Sequence, residues 1–408
     1  MRRLFFFILS MCCGMMSAVA QSELLLNDSV YEDSVIVLPW PENVQMKLDS
    51  MVANDEMLQT SQLGLMVYDL TADSALYTFN HRQTMRPAST MKVVTAITAL
   101  DRLGGNHVLR TSLAYSGDIS GRTLTGNIYL GGGMDPMFSE EDMREFAMRV
   151  QNLGIDTLRG AIMLDRSMKD TVKWGEGWCW DDKNPELTPL LVDRKPYFVE
   201  SFLVELSQLG IVVDSISLFE EPAPEDAIPL YVCEHNIDQL LMKMMKDSDN
   251  LYAECLYYHL AASLGRHPAR AQHAQSLERS LVGTLGLDSS KYRFADGSGL
   301  SLYNYVSPEL LSRLLQYAWR TPRIKSHLLP SLPLAGVDGT LKKRMKNTVA
   351  EGNVRAKTGT LTGVISLAGY CTAANGHDLC FVIMNQGVLK WRDTRDFQDR
   401  LCVILCEE

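Results

Sequence analysis

The sequence has no metal-binding pattern, no long basic stretch and no internal repeat. Its eight histidines are scattered without an HxH or HExxH pairing, which argues against a zinc hydrolase and predicts no metal site. The net charge is −10, and no basic or basic-aromatic segment occurs, so we expect no nucleic-acid partner. With 46% hydrophobic and 22% charged residues, the composition is that of a folded globular protein.

Cysteine is too sparse to indicate a disulfide scaffold. Of nine cysteines, seven lie beyond residue 20, an odd number without a CxxC pair. Disulfides such as Cys402/Cys406 or Cys371/Cys380 stay open, because an exported chain would permit them. Several of these cysteines lie in apolar runs, which favours small buried core residues instead.

The first twenty residues resemble a signal peptide. Arg2 and Arg3 precede an apolar run at residues 4–9, and small residues follow at 18–20. A membrane anchor needs about 20 apolar residues, and this run is shorter and interrupted. A lipidated cysteine is disfavoured because a methionine precedes the first cysteine. We therefore expect export and cleavage near Ala20, which would leave a periplasmic protein.

The remaining chain contains two kinds of segment, which differ in their predicted secondary structure. Strand patterns at residues 63–70 and 75–80 match two more near the end, in the segments RAKTGTL to VISLAGYCTA and LCFVIMNQG. Residues 106–226 contain short strands, amphipathic helices and the aromatic-acidic loop WGEGWCWDD. The pattern predicts an α+β fold in which both ends of the chain build one antiparallel sheet flanked by helices. The main domain would comprise residues 21–105 and 227–408, with 106–226 as a smaller inserted domain.

Three short motifs occur along the chain in the order of a known catalytic set. They are SxxK at Ser89 and Lys92, SxN at Ser248 and Asn250, and KTG beginning at Lys357. Each alone is weak, but together they match the set found in penicillin-binding proteins and class A β-lactamases.

The SxxK spacing has a chemical reason. Positions i and i+3 share a helix face, so Lys92 can reach the Ser89 hydroxyl. A serine hydroxyl becomes a good nucleophile only when a base removes its proton. We interpret Lys92 as a candidate base whose pKa is lowered by burial beside a second cation, Lys357. The identity of the acylation base stays a hypothesis, since it is disputed among such enzymes.

The other two motifs supply supporting groups. Ser248 can relay a proton to the leaving amine, and the Asn250 amide can hold both Lys92 and a substrate carbonyl. Lys357 and Thr358 can bind a terminal carboxylate through charge-assisted hydrogen bonds. Gly359 would let a substrate backbone approach closely. The backbone N–H groups of Thr360 and Ser89 would form an oxyanion hole. The string DGSG at 296–299 lacks the first glycine of GxSxG and is interpreted as a turn.

With these motifs the chain resembles the D-alanyl-D-alanine carboxypeptidase/endopeptidase family, the low-molecular-mass class C penicillin-binding proteins. Further similar strings are PASTMKVVTA, LTGNIYLGGGMDPMF, KDSDNLYAE, ADGSGLS and AKTGTLTGVISLAGY. The resemblance implies a serine β-lactamase/DD-peptidase-like fold without a cofactor. It also implies cleavage of D-Ala-D-Ala bonds or cross-links of peptidoglycan through an acyl-enzyme on Ser89, which β-lactam antibiotics would trap.

The resemblance also assigns a role to the aromatic-acidic loop. By position, Asp182 would bind the amino group of the stem-peptide diamino acid. A further insertion that many family members carry is missing here. Two rival functions stay open, a β-lactamase and a non-catalytic cell-wall binding protein. The balance between carboxypeptidase and endopeptidase activity and any homo-oligomer are also left open.

Overall fold

Strands from the two ends of the chain form one antiparallel sheet, as the sequence predicted. In the computed structural model the sheet order is β10-β11-β12-β1-β2. Its strands are β1 (Gln62–Asp69), β2 (Ser74–Phe79), β10 (Arg355–Leu361), β11 (Val364–Thr372) and β12 (Asp378–Gln386). β1 and β12 pair at the centre, where Leu65 faces Ile383. This central pair joins the early strands to the late strands, of which β10 carries the motif at Lys357.

β12 has the continuous apolar sequence of a strand that is buried on both faces. Because successive side chains alternate, Phe381 packs in one hydrophobic cluster and its neighbour Val382 packs in another. The sheet therefore needs a helical layer on each side.

Ten helices are described, and eight of them cover this sheet. One face contacts α1 (Glu42–Asn54) and α10 (Trp391–Glu407), through residues such as Leu48 and Leu401. The other face supports α2 (Met91–Leu103), α5 (Ile237–Lys246), α6 (Asn250–Ala262), α7 (Ala271–Thr284), α8 (Pro308–Arg320) and α9 (Pro322–Ser331). α2 lies at the centre of this layer, since Met91 to Leu100 are all buried.

The part of the chain between β2 and β10 contains the strands of a second sheet. Its strands are β3 (Val108–Ser120), β4 (Thr123–Gly131), β5 (Thr157–Arg159), β6 (Ala161–Asp165), β7 (Val212–Val213), β8 (Ser217–Phe219) and β9 (Ile228–Asn236). β3 pairs antiparallel with β4 and β9, and the remaining ladders are parallel. The helices α3 (Glu140–Gln151) and α4 (Phe198–Gln208) pack on it around Phe138, Phe146 and Phe198.

The second sheet extends past residue 226, where the sequence analysis ended the inserted domain, because β9 pairs with β3 as far as Asn236. The division of the chain into domains stays a prediction. Short 3-10 segments occupy Glu56–Gln59, Ala88–Thr90, Ser289–Lys291 and Gly339–Leu341.

The structure describes residues 38–214 and 216–407. The predicted signal peptide at residues 1–20 lies outside this range. Within it, no helix combines the length and apolar character that a membrane crossing needs. Cys371, Cys402 and Cys406 are buried in the cluster around Phe381, as expected for small core residues.

The core position of β12 can be tested by truncation. Phe381 is fully buried, so Phe381→Ala should lower the free energy of unfolding by about 3–5 kcal/mol through lost burial and an unfilled cavity. Leu389→Ala, at a side chain that is 87% exposed, should change it by less than about 0.5 kcal/mol. Urea unfolding measures both, and equal effects would contradict the assigned core.

Candidate active site

Ser89 lies in the 3-10 turn that leads into α2. Ala88 has φ +48°, a left-handed conformation that is unusual for alanine and typical of functional turns. The turn is held because the Pro87 carbonyl accepts hydrogen bonds from Thr90 Oγ1 (2.7 Å) and from Ser366 Oγ on β11 (2.6 Å). Ser89 itself stays half-buried, with its hydroxyl directed at the adjoining cavity and at Lys92.

Lys92 is fully buried one turn later on α2. Its Nζ donates to Ser89 Oγ (3.0 Å), Asn250 Oδ1 (2.8 Å) and the Ser298 carbonyl (2.7 Å). These three acceptors match the three protons of an ammonium group. The structure therefore brings together Ser89, Lys92 and Asn250, which the sequence placed in one site.

Burial is the main influence on this lysine. It lowers the pKa of Lys92 to about 8, although the carboxylates of Asp296, Glu254 and Asp249 act in the opposite direction. From the sequence, the lowered pKa was expected from burial beside Lys357, and burial is its largest cause. The pKa of Lys357 is also well below its usual value, through burial and then through the nearby charge of Lys92.

Lys357 holds the second serine. Its Nζ donates to Ser248 Oγ (2.8 Å) and to the Thr358 carbonyl (2.7 Å). Ser248 has φ +61°, so it too adopts a left-handed conformation at a corner. Asp249 then caps α6 by accepting from the Tyr252 amide. Lys92 and Lys357 thus each donate to the hydroxyl of a different serine.

The KTG motif occupies β10, an edge strand of the first sheet. A Cβ atom at Gly359 would lie 2.1 Å from Ser366 Oγ and 2.8 Å from the Pro87 carbonyl oxygen. From the sequence, this glycine was expected to let a substrate backbone approach closely. In the structure the close contacts are with Ser366 on β11 and with the turn that carries Ser89, so Gly359 lets β10 pack against both. Its role towards a substrate stays a prediction.

A cavity of about 320 Å³ opens beside Ser89. It brings together members of all three motifs, with Thr358 half-buried and Thr360 exposed on its wall. Its lining residues are Ser89, Ser248, Thr340, Arg344, Thr358, Gly359, Thr360, Ile365 and Arg395. Sequence reasoning missed Arg344 and Arg395, because neither belongs to a motif and only the packing of α10 brings Arg395 here.

The turn at residues 296–299 is also part of the site. Its Ser298 carbonyl accepts from Lys92, while the Gly297 and Ser298 amides donate to Glu254 at 3.3 and 2.8 Å. Burial raises the pKa of Glu254 to about 8. The sequence predicted only a turn, although the string ADGSGLS was among those that resemble the family.

Asp182 lies apart from the Ser89 cavity. It is exposed, and its Oδ2 accepts from the Cys179 amide (3.2 Å) within its own loop. The loop is anchored to the site, because Trp178 Nε1 donates to Asp296 Oδ2 (2.8 Å). An adjoining cavity of about 460 Å³ is lined by Lys183, Asn184, Pro185, Arg194 and residues 247–251. The role of Asp182 stays a prediction.

Among the described residues, one group of side chains away from Ser89 has metal-ligating chemistry. The ligand atoms of Asp142, Cys233 and His235 lie within 4.8 Å of one another, a juxtaposition that the sequence analysis did not find. His235 Nδ1 pairs with Asp135 at 2.6 Å, and Asp142 accepts from Ser139. Since His235 and Asp142 are already partnered inside the protein, we assign this group no metal.

A helix-borne serine bonded to a buried lysine, beside the edge strand of an antiparallel sheet, defines a serine acyl-transferase of the penicillin-binding class. Comparison with known proteins gives the family. The model of the D-Ala-D-Ala carboxypeptidase 3 (S13) family matches residues 44–191 and 183–407. The chain belongs to this family and is a serine-type D-Ala-D-Ala carboxypeptidase, which confirms the resemblance found in the sequence.

Individual relatives agree with this assignment. The D-alanyl-D-alanine carboxypeptidase DacB of Haemophilus influenzae is 26% identical over 406 residues, covering 79% of this chain and 85% of that protein. The crystal structure of penicillin binding protein 4 from the same organism has a TM-score of 0.80 at 23% identity, covering 87% of this chain and 98% of that one. Its complex with a β-lactam has a TM-score of 0.72 at 24% identity and covers the same shares. These likenesses confirm the fold.

The contact beneath Gly359 can be tested directly. Gly359→Ala should lower the free energy of unfolding by about 1–3 kcal/mol and slow acylation, because its methyl group would push β10 away from the Ser89 turn. Gly283→Ala on α7 is the matched control, since nothing lies within 4 Å of its added Cβ. Urea unfolding and the labelling rate with a fluorescent penicillin measure the two effects. Unchanged labelling in Gly359→Ala would contradict the packing described.

Proposed function

We propose that this enzyme hydrolyses D-Ala-D-Ala stem peptides of peptidoglycan through an acyl-enzyme on Ser89. The observation that carries the proposal is the 3.0 Å hydrogen bond between Ser89 Oγ and the fully buried Lys92. A nucleophile and a base in such contact, beside a cavity, are the minimum equipment for acyl transfer.

Lys92 acts as the base for acylation. A pKa near 8 leaves about a tenth of the lysine neutral at pH 7, far more than an exposed lysine would provide. Neutral Lys92 takes the Ser89 proton while Ser89 Oγ attacks the carbonyl of the penultimate D-Ala. The backbone N–H groups of Ser89 and Thr360 stabilise the negative charge that develops on the carbonyl oxygen.

Ser248 completes the bond cleavage. Its hydroxyl donates a proton to the leaving nitrogen and is restored from Lys357, whose lowered pKa suits it to give up a proton. The terminal residue leaves as a free amino acid, and water then attacks the ester on Ser89. Since one peptide bond is broken and one water consumed, no cofactor enters the balance.

The substrate lies along β10. An edge strand presents unpaired backbone groups to which an extended peptide can add. Asn250 Oδ1 is occupied by Lys92, so its amide nitrogen is the group that donates to a substrate carbonyl. We assign β-lactams to the same place, supported by the β-lactam complex of the structurally similar H. influenzae protein.

The expectations on Asp182 and export enter the proposal in the same way. Asp182 would bind the amino group of the diamino acid at the mouth of the site, because its loop borders the cavity that reaches Ser248 and Asn250. The N-terminal segment would direct the chain to the periplasm, where the peptidoglycan lies.

The nucleophile is tested by covalent labelling. Wild-type protein should be labelled by a fluorescent penicillin, and Ser89→Ala should lose the label and peptide hydrolysis while keeping its circular dichroism spectrum. The matched measurement is the release of D-Ala from a peptide ending in D-Ala-D-Ala. Rapid turnover of penicillin with little peptide hydrolysis would favour a β-lactamase, and an unlabelled wild-type protein would favour a non-catalytic binding protein.

The base is tested by pH. Because Lys92 must be deprotonated to accept the proton, kcat/KM for peptide hydrolysis should rise with pH through about 8. It should fall at higher pH once Lys357 loses the proton that it must supply. Glu254 could produce the same rising limb, since its pKa is raised to about 8. The rise of kcat/KM with pH should persist in Glu254→Gln, and Lys92→Gln should be inactive. A flat profile between pH 6 and 9 in the wild-type enzyme would rule out Lys92 as the base.

A further inference from the structure

The turn at residues 296–299 is tied to α6 by one buried carboxyl group. Glu254 accepts from the Ser298 amide at 2.8 Å and from the Gly297 amide at 3.3 Å. Its side chain is almost completely buried and lies outside the lining of the Ser89 cavity. Glu254 therefore acts on the site through its neighbours rather than on a substrate directly.

The two peptide groups that flank Ser298 are each held by a carboxyl group. The amide of Ser298 donates to Glu254, and the amide of Gly299 donates to Asp296 Oδ1 at 2.8 Å. The C=O and N–H of a trans peptide point in opposite directions. The Ser298 carbonyl is therefore directed away from Asp296, and it accepts from Lys92 Nζ at 2.7 Å.

The direction of this carbonyl matters when Lys92 acts as a base. A neutral amine keeps two protons and one lone pair. Among the three partners of Nζ, the Asn250 Oδ1 and Ser298 carbonyl oxygens can only accept, whereas the Ser89 hydroxyl can also donate. The two remaining protons therefore go to Asn250 and Ser298, and the lone pair is left for the proton of Ser89.

We propose that Glu254 is a positioning residue for acylation, which holds the Ser298 carbonyl against Lys92 and thereby directs the lone pair of the neutral amine at the Ser89 hydroxyl. This inference rests on the proposed function, in which Lys92 is the base. The Ser89 proton moves to Nζ while Oγ bonds to the substrate carbonyl carbon. Nζ then carries three protons again, which fit the same three partners.

One helix controls both acceptors of Lys92. Asn250 and Glu254 are four residues apart on α6 and so lie on one face of it. Asn250 contacts Lys92 directly, and Glu254 reaches it through the turn. The SxN motif and the DGSG turn thus act together on the orientation of one amine.

Glu254 also affects the charge of Lys92. Its carboxylate raises the pKa of Lys92, against the larger and opposite effect of burial. Replacing the carboxylate by a neutral group should therefore let Lys92 lose its proton at lower pH. The titratable groups that interact with Glu254 are Lys92 on α2, Asp296 in the turn, Lys169, Glu278 on α7, and Cys255, Tyr257 and Tyr258 on α6.

The test measures acylation by a fluorescent penicillin between pH 6 and 9, with the acylation rate constant k2 separated from the dissociation constant K of the preceding complex. Glu254→Leu binds neither amide, so k2 should fall about 10- to 100-fold through the misdirected lone pair. K should change less than about two-fold, because Glu254 lies outside the cavity lining.

Glu254→Gln separates alignment from charge. It keeps an acceptor for the Ser298 amide but turns an NH2 group towards the Gly297 amide, so k2 should fall less than in Glu254→Leu. The midpoint of the rise of k2 with pH should move to lower pH, since the carboxylate that raises the pKa of Lys92 is gone. The matched control is Glu278→Gln, which removes an equally buried carboxyl group and leaves both amide bonds of the turn in place. Its k2 and midpoint should equal those of the wild type.

The stoichiometry of labelling gives the concentration of competent enzyme, so partial unfolding does not count as slow acylation. If Glu254→Leu does not fold, Glu254→Gln decides. A wild-type k2 and midpoint in Glu254→Gln, a changed K with an unchanged k2, or equal changes in Glu278→Gln would overturn the role of Glu254 and leave the proposed function standing. A wild-type enzyme that is labelled but releases no D-Ala from a D-Ala-D-Ala peptide would overturn the proposed function alone, and an unlabelled one would overturn both.

Discussion

The site depends on one buried ammonium group. Lys92 is enclosed by the central helix layer, and its three hydrogen bonds reach Ser89, Asn250 and Ser298 on three different segments. A buried charge is tolerated only when its protons are satisfied, so these segments must meet at one point. The same burial lowers the pKa of the lysine, so one structural requirement supplies both the geometry and the basicity of the site.

The remaining machinery is arranged around this centre by the first sheet. β11 holds the Ser89 turn through Ser366, and β10 lies against the turn because Gly359 has no side chain. Lys357 then reaches Ser248 at the start of α6. The nucleophile, the proton relay and the edge strand are thus positioned by packing between the sheet and two helices, α2 and α6, with loops contributing the turn at 296–299.

The sequence predicted those parts of the site that are set by local spacing. The contact between Ser89 and Lys92 was predicted from the helical i, i+3 relation. The sheet shared by the two ends of the chain was predicted from strand patterns at both ends. What depends on tertiary packing was missed or misread. The DGSG turn was predicted only as a turn. Its Ser298 carbonyl accepts from Lys92 because long-range packing places the turn beside α2 and α6, where Glu254 accepts from its amides. Arg395 reaches the cavity only because α10 folds back over the sheet, a contact that no spacing along the chain encodes.

The central pairing of β1 with β12 has a consequence for the timing of folding. Leu65 and Ile383 are partners although more than three hundred positions separate them, and such long loops close late and slowly. Until the sheet and its helices have closed around it, Lys92 is solvated and keeps the pKa of an ordinary lysine. Ser89 is then an ordinary alcohol. The unfolded chain therefore has no activated serine, and Ser89 becomes reactive only when the core around Lys92 is complete.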